Sequence, residues 1–240
     1  MVNIPMRSSA PVDCRTVLSI NERKVEGAKT TRTITSINNT QSQAALKTST
    51  PVSKPLPPLL HMVQKGQKTP LEISGKLTSV KACLGWNVKN PACDVDVSAF
   101  LLGASGKVIG DSWFVFYGQT ESPDHSTFFH SDGGTDREII SVDFTRLDPS
   151  VVRIVFVLTI NEALEKNLNF GMLTDAYIRI MDSSGAELVS FKMDEYYTNV
   201  TSMMIGELYL HNGAWKFNAI GNGVAKDLAG LCEMYGVKVN

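Results

Sequence analysis

Asp94-Val95-Asp96-Val97-Ser98-Ala99-Phe100-Leu101-Leu102 starts as a polar and apolar alternation and ends apolar throughout. Alternate residues of an extended strand point the same way, so Asp94, Asp96 and Ser98 share one face. Further acidic residues come at Asp111, in Ser122-Pro123-Asp124-His125, and in Ser131-Asp132-Gly133-Gly134-Thr135-Asp136-Arg137-Glu138. Carboxylates gathered on one face repel each other unless a cation, a proton or solvent screens them. A hard divalent cation held by oxygens, with glycine letting the loop fold closely around it, satisfies this pattern. A set of solvated strand-end and turn residues that never meet satisfies it too.

Outward from this stretch, short runs rich in Val, Ile, Phe and Tyr recur between turn residues. They predict strands over 71–73, 77–84, 95–102, 113–117, 138–144, 152–159, 176–181, 188–193, 202–209 and 215–220. The longest apolar run, 151–160, is interrupted by Arg153 and Thr159 and reads as a buried strand. Asn212-Gly213 joins two of the runs and marks a hairpin, because both residues tolerate positive φ. Strands this short and this regularly spaced predict a mainly β fold, a two-sheet β-sandwich. A few short helices accompany it: one over 161–168, and one over 224–235 with Val224, Leu228, Leu231 and Tyr235 on a single stripe and Gly236 as its stop.

The chain divides into a tail and linker, 1–62, and a folded domain, 63–240. Residues 1–60 carry eight Lys/Arg against three Asp/Glu and hold no aromatic residue. Such a segment cannot bury enough apolar surface to offset its conformational entropy, which predicts disorder, with 14–20 its one stretch suited to a short element. Pro51-Val52-Ser53-Lys54-Pro55-Leu56-Pro57-Pro58-Leu59-Leu60 reads as an extended, polyproline-type spacer. The remaining residues carry fifteen Lys/Arg and twenty-one Asp/Glu, an acidic body that argues against nucleic acid as the main partner. Cys14, Cys83, Cys93 and Cys232 form no Cys-x-x-Cys pair and have no zinc spacing with the four histidines, so a reduced, cytoplasmic protein is expected. No apolar run reaches the roughly eighteen residues a membrane helix needs, which predicts no membrane insertion.

Many separated motifs of the body, in order, resemble the TerD family of tellurium-resistance and stress-response proteins. They include Lys65-Gly66-Gln67-Lys68, Leu84-Gly85-Trp86, Asp94 to Leu102, Phe114-Val115-Phe116-Tyr117, Asn169-Phe170-Gly171, Gly206-Glu207-Leu208-Tyr209 and Trp215-Lys216-Phe217. The resemblance spans 63–240 and implies a β-sandwich that binds Ca2+ through its acidic strand and loops. It also implies a bacterial, cytoplasmic role in chemical stress through protein partners of a stress-response system, without catalysis. Asp94 and Asp96 match the family's paired Asp, Asp136 and Glu138 its acidic cluster before the next strand, and Asn169 opens the Asn-Phe-Gly turn. With Asp111, these are the candidate metal ligands. Departures fall at Asn87, Trp113, Gly118-Gln119 and Arg137, where the family pattern places oxygen donors. Fewer ligand charges weaken calcium, so a dissociation constant of about 10⁻⁵–10⁻³ M is expected.

Two other classes compete. Ser98, His125 and Asp124 could be written as a triad, yet no nucleophile elbow, phosphate loop or paired histidine accompanies them. A small-molecule site, of the cyclic-nucleotide kind, would draw on Trp113 beside Tyr117 and Trp86 as a stacking wall. A family member that has lost its metal is the third alternative.

Overall fold

The computed structural model describes residues 53–72, 77–131 and 134–238. The tail and linker expected over 1–62 lies outside them up to residue 52, its short element at 14–20 included, as do Ile73, Asp132 and Gly133.

Two antiparallel sheets make the molecule. The first holds β1 (Lys68–Pro70), β3 (Val95–Leu102), β4 (Phe114–Phe116), β7 (Arg153–Ile160), β10 (Ser202–His211) and β11 (Ala214–Val224), in the order β1-β11-β10-β7-β3-β4. The second holds β2 (Ser79–Val88), β5 (Thr127–Ser131), β6 (Glu138–Asp143), β8 (Leu173–Asp182) and β9 (Glu187–Lys192), in the order β5-β6-β2-β8-β9. Val97, Ala99 and Leu101 of β3, Ile154, Phe156 and Leu158 of β7, and Leu84, Ile178 and Ile180 of the facing sheet form the dry layer between them. The opposite faces of β3 and β7 are covered as well. There Phe100, Val155 and Val157 pack with Phe114, Phe116 and the helix α1 (Leu228–Tyr235) through Leu231 and Cys232. Burial on both faces is why these two strands read as nearly continuous apolar runs.

The expected sandwich is therefore present, with differences at several elements. The segment 161–168 forms turns rather than a helix, because Glu162 and Asn167 take φ of 52° and break the right-handed run. Val224 ends β11, paired with Ser202, and α1 starts only after Asp227, whose carboxylate accepts the Gly230 N–H at 2.8 Å. Gly236 ends the helix at φ 81°, as its position in the sequence suggests. Leu71 and Glu72, the described part of the strand expected over 71–73, lie outside any strand; the chain pairs at Lys68–Pro70, and Leu71 is buried just beyond it. β5 has no counterpart among the expected strands; its Thr127, Phe128 and Phe129 alternate in burial but sit among polar residues. Asn212 and Gly213 both take positive φ and close the β10–β11 hairpin. Among the described residues no helix is long and apolar enough to cross a membrane.

Residues 53–62, expected as a spacer, lie against the five-stranded sheet. The Lys54 N–H donates to Asn87 Oδ1 at 2.9 Å, and Asn87 Nδ2 donates back to the Lys54 carbonyl at 3.0 Å. At the other end the N–H groups of Leu60 and His61 donate to Glu187 Oε1 at 2.9 and 2.7 Å. Pro57, between these anchors, is buried.

Candidate functional site

The two sheets touch where β3 begins and β6 begins. The Val97 N–H of one sheet donates to Glu138 Oε2 of the other at 2.7 Å. Antiparallel register sets Val95 opposite Ile160, so the next residue along, Asn161, reaches the Asp94 carbonyl with its N–H at 2.8 Å. Tyr117, one residue past β4, stands in the same corner. Burial first, then the charges of Asp96, Asp94 and Glu138, raise its hydroxyl pKa well above the ordinary phenol value. Three of the six candidate ligands thus act on one hydroxyl through their charge.

Two cavities open here. One, of about 260 Å³, is lined by Asp94 and Glu138 together with Lys54, Arg137, Trp86 and Cys93. The Lys54 ammonium donates to the Gly134 carbonyl at 2.6 Å and to that of Asp136 at 3.5 Å. Arg137 Nε donates to the Trp86 carbonyl at 2.6 Å, and its guanidinium lies 5.5 Å from the Trp86 ring. The other cavity, of about 160 Å³, is lined by Asp96, Ser98, Tyr117, Thr159, Asn161 and Glu162 among others. Ser98 Oγ and Thr159 Oγ1 are buried there with no hydrogen-bond partner among the described residues.

The other three candidates are engaged elsewhere. Asp136 is 5% exposed, and its two oxygens receive Arg179 Nε at 3.0 Å, Arg179 Nη2 at 2.6 Å and the Tyr177 hydroxyl at 2.8 Å. Against the downward pull of burial, the hydrogen bond and charge of Asp136 raise the Arg179 pKa. Gly85 makes room for this arrangement, since a Cβ there would stand 2.4 Å from the Tyr177 ring. Asp111 lies past the far end of β3, a strand roughly 25 Å long, and accepts the Lys238 N–H at 3.0 Å. Asn169 Oδ1 accepts the Gly171 N–H at 3.0 Å and caps the 3-10 turn Phe170–Met172.

The donor chemistry suits a hard cation: carboxylates and amide or carbonyl oxygens, with no sulfur or imidazole needed. Lys54 already brings a positive charge to the rim. Among the described residues, however, no three His, Cys, Asp or Glu side chains stand close enough to share one metal ion as placed.

The competing chemistries fare worse. His125 pairs with Glu121, while Asp124 accepts from Ser122, Ser126 and the Asp148 N–H; neither contacts Ser98. Trp113 pairs with Leu101 at the opposite end of β4 from Tyr117, so the stacking wall does not assemble. Both cavities fall below the roughly 300 Å³ at which small-molecule sites begin.

Several site residues carry little mark in the sequence. Asn161 and Glu162 fall in the segment expected as a helix, although a position just past a strand that pairs with Asp94's strand is a usable signal. Tyr117 reads as part of an aromatic wall rather than as the centre of an acidic corner. Arg179 and Tyr177 alternate on β8 and so share a face, which marks them as possible partners of a buried acid. Lys54 has no signal beyond its place between prolines.

The chain has counterparts among known proteins. A TerD domain family model matches residues 59–235. The tellurium resistance protein TerD of Alcaligenes sp is 37% identical over 173 residues, covering 68% of this chain and 90% of that protein. General stress protein 16U of Bacillus subtilis (strain 168) is 35% identical over 186 residues, covering 73% of this chain and 96% of its own length. In fold, the chain is similar to the crystal structure of a homologue of telluride resistance protein (TerD) from Streptomyces coelicolor A3(2). The TM-score is 0.50 at 18% identity, over 68% of this chain and 99% of that one. The chain belongs to the TerD domain family.

Proposed function

We propose that this chain is a calcium-binding, non-catalytic module of a cytoplasmic response to tellurium compounds and other chemical stress, acting through a protein partner. Relatives named for tellurium resistance, for general stress and, in Clostridium acetobutylicum, for resistance to chemical-damaging agents support the physiological half. The observation that carries the chemical half is the hydrogen bond from Val97 to Glu138 where the two sheets touch, which brings Glu138 to the start of the strand that carries Asp96 and follows Asp94.

Asp94, Asp96 and Glu138, with the Asn161 side chain, would hold the ion. Bound calcium supplies charge neutralisation and a rigid oxygen-coordinated centre. The chain's own part is positional. β3 fixes Asp96 against Thr159 across the β7 pairing, and the Val97 N–H orients Glu138 through one of its oxygens. Asp136 remains with Arg179 and Tyr177 and holds the start of β6 in place. Neutralising the three carboxylates would draw the segment from Gly134 to Glu138 and the turn after Ile160 toward each other, presenting a surface a partner can read.

Calorimetric titration of the full chain with calcium chloride tests this. We expect saturable binding at about 10⁻⁵–10⁻³ M, weakened at least tenfold in Asp94→Ala and in Asp96→Ala, and unaffected by Asp111→Ala. Binding that survives both aspartate substitutions would place the ion elsewhere; no heat in any variant would leave the family's stress role without its metal.

A further inference from the structure

We infer that residues 53–62 form a strap whose Lys54 ammonium, on the cavity wall shared with Asp94 and Glu138, opposes a cation there, so that calcium binding and strap docking exclude each other. This rests on the calcium reading above and names how that site is regulated.

Lys54 Nζ lies against two carbonyls of the segment Gly134–Asp136 and lines the same cavity as Asp94 and Glu138. Arg137 lines that wall as well, so two positive side chains share the cavity with two carboxylates. A divalent ion entering it would meet the ammonium at a few ångströms, a repulsion too strong to coexist with docking in a half-buried site.

The strap is built to be held. Lys54 precedes Pro55 and is therefore steered to an extended backbone. Pro55, Pro57 and Pro58 stiffen the middle of the strap, which lowers the entropy lost on docking. Asn87 clamps it by donating to and accepting from the same residue, a pairing that aspartate cannot make because it has no N–H. The departures from the family pattern at Asn87 and Arg137 thus become parts of one device. Asn87 reads the strap's backbone, and Arg137 adds a second positive charge to the wall that Lys54 lines. The hydrogen bonds from Leu60 and His61 to Glu187, and the bridge of Met62 to Ser190, lie on the other side of the buried Pro57 and can persist when Lys54 leaves. The strap then opens as a flap hinged at its Leu60 end.

If the strap is docked in about nine of ten molecules, the apparent calcium affinity is reduced about tenfold. The test uses the full chain titrated with calcium chloride, with magnesium chloride as control. It compares wild type with Lys54→Met, which keeps the aliphatic stem, and with Asn87→Asp. Amide hydrogen exchange is followed at Lys54, Leu60 and His61. We expect Lys54→Met to bind calcium about tenfold more tightly than wild type. In wild type, saturating calcium should speed exchange at the Lys54 amide at least tenfold while the Leu60 and His61 amides stay protected. Asn87→Asp, which keeps the acceptor of the Lys54 N–H but loses the donor to the Lys54 carbonyl, should bind calcium more tightly than wild type. Equal calcium affinity in wild type and Lys54→Met, with Lys54 exchange unchanged by calcium, would overturn the strap and leave the calcium module standing. No calcium binding in any of the three chains would overturn both.

Discussion

Asp136 shows how a motif residue can be taken up by folding. Its carboxylate is nearly buried and receives three donors, so removing a partner leaves a charge in a poor solvent. Arg179→Ala should destabilise the chain by about 3 kcal/mol, within the range for a broken buried pair, measured by urea unfolding. Asp94→Ala, in contrast, relieves repulsion and should be neutral or slightly stabilising in chelator. Asp124 makes a second residue-scale case. Burial pulls its pKa upward, but hydrogen bonds from Ser122, Ser126 and the backbone N–H of Asp148 outweigh this and hold it below the usual carboxylate value. A carboxyl with a depressed folded pKa contributes stability that is present above its unfolded pKa, near 4, and that is lost as pH falls through the folded one. Unfolding midpoints between pH 5 and pH 2 should therefore fall less steeply in Asp124→Asn than in wild type. Cys232 is inert for a related reason: burial, then the Asp227 charge, pushes its thiol up to about 12. A disulfide reagent should modify it only after unfolding.

At the scale of elements, strands are the most legible features. β3, β7 and β10 announce themselves because each buries most of its length, and a two-sheet sandwich can be read from their spacing. Helices are harder. Of the two expected, one forms, over a shorter span, since α1 starts only at a residue able to cap its N-terminus. Asp227→Ala should cost about 1 kcal/mol in the same urea assay, because Leu231 and Cys232 then cover the Phe100–Phe116 face less firmly. The turns at 161–168 depend on left-handed residues whose identity, Glu and Asn, carries no strong local mark of that conformation. Of the candidate ligands, strand period in the sequence puts Asp94 and Asp96 at the start of β3, while only the structure brings Glu138 beside them. Asp111 and Asn169 are not separable from them in the sequence, since only the strand length and the cap geometry reveal where each goes.

For the molecule as a whole, the acidic corner lies where two sheets meet, and a segment from outside the sandwich reaches it. Neither sheet alone holds the corner: β3 supplies Asp96, β6 supplies Glu138, and Asp94 and Asn161 sit just outside strand ends. That construction makes the corner sensitive to charge, because a bound cation would tie the sheets together at the edge where β3 and β6 touch. Ligands that bind only the folded state raise its stability by an amount set by concentration over dissociation constant, about 2.7 kcal/mol at a hundredfold excess.

Thermal unfolding of the full chain in chelator, in millimolar magnesium and in millimolar calcium tests this most directly. A rise in melting temperature with calcium, absent with magnesium and abolished in Asp94→Ala/Asp96→Ala, is the predicted result. An identical melting temperature in all three solutions, for wild type and for Lys54→Met alike, would contradict calcium binding at this corner.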